Sequence, residues 1–123
     1  MKRDIKNRKD IIKLVNVFYD QVKTDTVIGF IFNDIAHTNW DLHLPRMYDF
    51  WENILFYTGN FDGNPMITHR ELSAKCEIKR SHYKHWNSLF NKTVDDLFKG
   101  DKADEIKRRA MNISKMMIDK ALS

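Results

Sequence analysis

The residues whose types and spacing could do chemistry sit in the middle of the chain. In WDLHLPRMYDFW, His43, Met47 and Trp51 follow one another at intervals of four, so on a helix they stack along one face. That face is apolar enough to bury, yet its imidazole and indole carry N–H groups that can reach a ligand. Further on, Asn64 and Pro65 open another helix: Asn is a good N-cap, and Pro suits the first helical position because its missing N–H is not needed there. His69 then lies one turn in. Two helices, each with a histidine near its start and joined by the loop GNFDGN, can clamp something flat between them.

The elements that must position these residues read as helices throughout. From Asp10 to Lys23, the residues Ile11, Ile12, Leu14, Val15, Phe18, Tyr19 and Val22 recur at helical spacing and make one broad apolar face. Tyr19 inside it is either a core tyrosine bonded to backbone or a donor aimed at a ligand. Thr24 to Thr26 break the pattern, Val27 to Asn33 is long enough for one or two turns, and Asp34 to Asn39 suits an exposed connection that includes His37. Pro45 belongs in a first turn or else marks a kink, and the next helix is placed to start close to His43; it runs through Phe50, Ile54 and Leu55 to a cap at Gly59. After the short helix carrying His69, Ser73 to Arg80 reads as a loop, and Ser81 as the cap of a helix with Tyr83, Trp86, Leu89, Phe90, Val94 and Leu97 on its apolar side, ending near Gly100. Asp101 would cap the last helix, whose apolar set is Ala103, Ile106, Ala110, Ile113, Met116 or Met117, and Ala121. With no convincing strand and no repeat, the fold class is all-α.

A chain of 123 residues predicts a single domain, 1–123, with one core. Eight Phe, four Tyr, three Trp and six Met supply the large flat and pliable side chains that either a filled core or a pocket for a flat ligand would use. The net charge of +4 is spread along the chain, and MKRDIKNRK and IKRRA are interrupted by acids or apolar positions. They read as solvated faces, which argues against nucleic acid as a partner. Cys76 is the one cysteine and cannot make an internal disulfide, so a reducing cytoplasm is expected. The N-terminus lacks the apolar core of a signal peptide and no run is long enough to span a membrane, so no membrane partner is expected. His82, His85 and Cys76 could be imagined around zinc, but they lack a fourth ligand and any CxxC pair.

In FYD (Phe18 to Asp20), GFIFN (Gly29 to Asn33), HLPRMYDFW (His43 to Trp51), TGNFDGNP (Thr58 to Pro65) leading to His69, and HWNSLF (His85 to Phe90), the sequence resembles a group III truncated haemoglobin. These pieces keep the family's order and about its spacing. The resemblance implies a truncated globin, a two-over-two helical sandwich around haem b (iron protoporphyrin IX). It implies His69 as the proximal iron ligand, with Tyr19, His43 and Trp86 forming the distal, ligand-stabilising pocket. Phe32 would pack against the haem, although Phe30 competes for that place, while Met47, Trp51 and Met66 complete the cofactor contacts. Arg46 is either a salt link to a haem propionate or an ordinary solvated arginine.

The function implied by the resemblance is a haem protein binding dioxygen, carbon monoxide, nitric oxide or peroxide, with Tyr19 O–H and Trp86 N–H as hydrogen-bond donors. A peroxidase-like or nitric oxide detoxifying enzyme, served by an unidentified reductase, is the alternative. The rival from another class is a non-haem helical interaction module, in which His43, Trp51, His69 and Trp86 are ordinary residues.

Overall fold

The computed structural model describes residues 2–35, 39–59 and 78–122. Among the described residues four α-helices carry the architecture: α1 (Arg8–Thr24), α2 (Trp40–Phe56), α3 (Arg80–Leu97) and α4 (Asp101–Leu122), with a π-helical turn at Ile31–Ile35 between the first two. No strand occurs among the described residues. Helix α1 packs on α2 and α3 on α4, while α1 also meets α3 and α2 meets α4, so two helical pairs lie one over the other. This is the two-over-two arrangement. Helix α1 buries Ile11, Leu14, Val15, Phe18, Tyr19 and Val22 along the expected face. Against it lie Phe50, Trp51 and Leu55 of α2, Phe90 and Val94 of α3, and Ile106 of α4. No helix among the described residues is long and apolar enough to cross a membrane.

Helix ends depart from the expectations in instructive ways. Helix α2 begins at Trp40, with Asn39 as N-cap, rather than at His43. Pro45 therefore lies in the second turn, where its missing N–H leaves the carbonyl of Asp41 without the usual helical donor. The helix ends at Phe56, and its cap is Tyr57 in the left-handed region (φ 58°), not Gly59. Tyr57 N–H still bonds the Asn53 carbonyl at 2.8 Å, and the Asn53 side chain accepts from Gly59 N–H at 2.7 Å. Helix α3 starts one residue before Ser81: Lys79 is the N-cap, and His82 Nδ1 accepts its N–H at 2.9 Å, the service a glutamate performs in a capping box. It stops at Leu97, short of Gly100.

The start of α4 is capped from a distance. Asp101 is the first helical residue, not the cap; Asp4, far away in sequence, accepts the N–H groups of Lys102 and Ala103, both at 2.9 Å. Gly100 is what lets it in. A Cβ there would fall 2.5 Å from Asp4 Cγ, and the φ of 148° is one that L side chains rarely adopt. The N-terminal basic run is likewise structural in part. Arg3 holds the buried carboxylate of Asp10 through hydrogen bonds of 2.8 and 2.5 Å, and Arg8 Nη1 donates to Asp49 (2.9 Å) and Glu52 (2.8 Å), fixing α1 against α2.

Burial raises the Asp4 carboxyl, but the amides of Lys102, Ala103 and Ile5 outweigh it and hold the carboxyl below its ordinary value. A folded-state pKa below the unfolded one gives stability that is complete above the normal carboxylate range and is lost as pH falls through the folded value. Asp4→Ala should therefore cost about 1–2 kcal/mol in urea unfolding at neutral pH. Asp4→Asn should flatten the loss of stability below about pH 4. An acid-unfolding profile identical to wild type would contradict the long-range cap.

Candidate functional site

Helix α1 turns by roughly 100° per residue, so the adjacent side chains Phe18 and Tyr19 serve different neighbourhoods. Phe18, fully buried, meets Trp86 edge-on at 5.7 Å and Phe90 at 5.1 Å. Behind them Trp51 stacks on Phe90 at 4.8 Å and, at 6.5 Å, lies nearly parallel to Trp86. Tyr19 looks the other way. Its ring lies edge-on to His43 at 5.1 Å and Phe32 at 6.0 Å, and tilted against Trp40 at 5.5 Å. Trp40 in turn stacks on Phe32 and meets His43 edge-on at 5.6 Å.

The structure thus assembles Tyr19, Phe32 and His43 in one cluster, and Trp51 and Trp86 in a second. Phe18 joins them, lying 4.9 Å from the Tyr19 ring. Met47 is half-buried against the core between His43 and Trp51 on the predicted face of α2, whereas Arg46 is exposed on that helix. Phe30, the competitor for Phe32, is 39% exposed and meets His82 instead. His69 and Met66 lie outside the described residues, as do His37 and Cys76. His82 and His85 serve separate ends: the first caps α3, while His85 Nε2 pairs with Asp25 Oδ2 at 2.8 Å.

That pair helps to position Phe32. Asp25 ends α1, and its other oxygen accepts from Val27 N–H (2.8 Å) and Ile28 N–H (3.0 Å), so one carboxylate fixes the turn leading to the π-helical segment and ties it to α3. Burial acts to raise this carboxyl, but the His85 contact and the two amides prevail and keep it below its ordinary value. Asn33 Nδ2 donates to the Lys23 carbonyl at 2.9 Å and closes the same turn.

Electrostatics in the first cluster favour a neutral donor. Burial pushes the Tyr19 phenol well above its usual value, so it keeps its O–H across the physiological range. Sequence spacing alone missed two members. Trp40 precedes His43 by three residues and shares its face, but the helix start inferred from Pro45 left it outside; Phe18 was assigned to the core without its bridging role. Phe18→Ala should cost about 3–5 kcal/mol in chemical denaturation, with loss of both clusters. A titration followed by tyrosinate absorbance should be the same for wild type and Tyr19→Phe through pH of about 10, where an ordinary tyrosine would contribute. A normal tyrosinate step missing from Tyr19→Phe would contradict the burial of the phenol.

No family model matches the chain. Among curated proteins it is 27% identical over 117 residues to the group 3 truncated hemoglobin ctb of Campylobacter jejuni, covering 93% of this chain and 90% of that one. Among solved structures it superposes on the group III truncated hemoglobin from Campylobacter jejuni with a TM-score of 0.85 and 25% identity, covering 98% of this chain and 95% of the other. With helical pairs α1–α2 and α3–α4 packed on each other, the chain has the truncated-globin fold, and its resemblance to the group III truncated haemoglobins runs through sequence and structure over nearly its whole length.

Proposed function

We propose that the chain is a haem protein that binds dioxygen and other small diatomic ligands beside Tyr19, with His69 as the iron ligand. The observation that carries the reading is the setting of Tyr19: a buried, neutral phenol ringed by His43, Phe32 and Trp40. The side chains present fit a flat macrocycle. Phe32, Met47 and Trp86 are large, apolar and only partly buried by the rest of the protein, which leaves apolar surface for a planar group to cover. Phe32 and Met47, with Met66 and His69, would hold haem b, Trp51 being buried against Phe50 and Phe90 behind that face, and the exposed guanidinium of Arg46 would reach a propionate.

When bound, the haem supplies an iron that takes up dioxygen, carbon monoxide or nitric oxide. The chain's own contribution is polar. Tyr19 O–H would donate to a ligand that carries partial negative charge, a bond worth about 1.5–3 kcal/mol, roughly ten- to a hundredfold in affinity; Trp86, the second donor that the resemblance implies, packs in the second cluster with Phe18, Trp51 and Phe90. The 5.1 Å Tyr19–His43 contact pairs a phenol with a titratable imidazole. It favours, as a second reading, turnover of peroxide or nitric oxide with electrons from a separate reductase. Cys76, the single cysteine, suits a cytoplasmic setting.

The test is the absorption spectrum of the purified protein, as isolated and after haem addition, then reduced and exposed to carbon monoxide. A sharp Soret band at one haem per chain, shifting with the ligand and lost or weakened in His69→Ala, is expected. Failure to take up stoichiometric haem would overturn the reading.

A further inference from the structure

We propose that Trp40, held down by Lys23, is the gate that sets how fast small ligands reach and leave the Tyr19–His43 site; this rests on the haem reading of that site. Tyr19 and Lys23 are four residues apart on α1 and project to the same side, and the Trp40 ring lies against both. It is 5.5 Å from the Tyr19 ring, while Lys23 Nζ sits over it at 4.8 Å from its centroid. Tyr19 is buried, at 4% exposed, whereas Trp40 and Lys23 are both only partly buried. The Trp40 ring thus lies between the phenol and the Lys23 ammonium, and it meets His43 as well, at 5.6 Å.

Its place in the helix suits it to move. Trp40 is the first residue of α2, and Asn39 before it makes no side-chain capping bond, the turn being closed by Leu42 and His43 N–H on the Asn39 carbonyl; a helix end opens more readily than the mid-helix position of Tyr19. Lys23 provides the bias toward closure. Its other partner is the largely exposed Asp20 at a loose 3.9 Å, which leaves the ammonium to the indole. A half-exposed cation–π contact shifts such an equilibrium roughly two- to fivefold.

A gate changes entry and exit together, whereas a residue that touches the ligand changes exit. In the haem-loaded chain, Lys23→Ala should raise the carbon monoxide association and dissociation rates together, each by roughly two- to fivefold, at unchanged equilibrium affinity. Trp40→Ala should go further the same way, and Lys23, being partly exposed, is a substitution the fold tolerates should Trp40→Ala fail to fold. Independently of any ligand, the indole N–H signal that disappears from the 15N spectrum of Trp40→Phe should shift in Lys23→Ala while those of Trp51 and Trp86 stay put. A normal Soret band with unchanged rates, or a change in dissociation alone, overturns the gate and leaves the haem reading standing; an unmoved Trp40 signal overturns the Lys23 latch. No haem uptake by wild type overturns both.

Discussion

Everything in the site depends on α1 presenting two neighbouring aromatic side chains to two separate surroundings. Phe18 is enclosed by Trp86, Phe90 and Tyr19; a ring packed on several sides has few rotamers to choose from, and fixing it fixes the rotation of the helix that carries it. The direction of Tyr19 is set by the same packing. Were α1 to rotate by one position, the phenol would leave His43 and Trp40 and the apolar wedge would leave α3. The chemistry of the first cluster is in that sense a consequence of the packing of the second.

Carboxylates near the helix ends reinforce that orientation. Asp10, Asp49, Glu52 and Asp25 receive Arg3, Arg8, the amides at the end of α1, and His85. Each of these carboxylates is partly or largely buried and faces a partner at or near a helix end, where a small bias decides register. Asp25 satisfies the amides of Val27 and Ile28 just after it, whereas Asp4 does this for α4 from a distance: a carboxylate from the start of the chain satisfies helix-end amides that local sequence leaves open.

The helices, their buried faces and the truncated-globin resemblance were legible in the sequence because apolar spacing and a handful of dispersed motifs are local signals. The helix ends were not. Pro45 pointed to a start at His43, whereas tertiary contacts of the Trp40 ring carry the helix further back. Gly59 looked like the cap, yet Tyr57 adopts the left-handed conformation, its hydroxyl within 3.2 Å of Arg109. Asp101 looked like a cap because nothing local reveals that Asp4 will arrive at Gly100. In the site, Tyr19, Phe32 and His43 lie together, whereas Trp86, which the resemblance groups with Tyr19 and His43, packs with Phe18 and Trp51; Trp40 was visible as a residue but not as a neighbour, since its role depends on Lys23 and Tyr19 from another helix.

The central claim is that the Tyr19 hydroxyl faces the ligand and holds it by donating a hydrogen bond. The most direct measurement is the dioxygen dissociation rate of the haem-loaded protein, compared between wild type and Tyr19→Phe, which removes the O–H and leaves the ring. The account predicts dissociation faster by roughly tenfold or more. An unchanged rate in Tyr19→Phe, with haem bound and the Soret band intact, would contradict it.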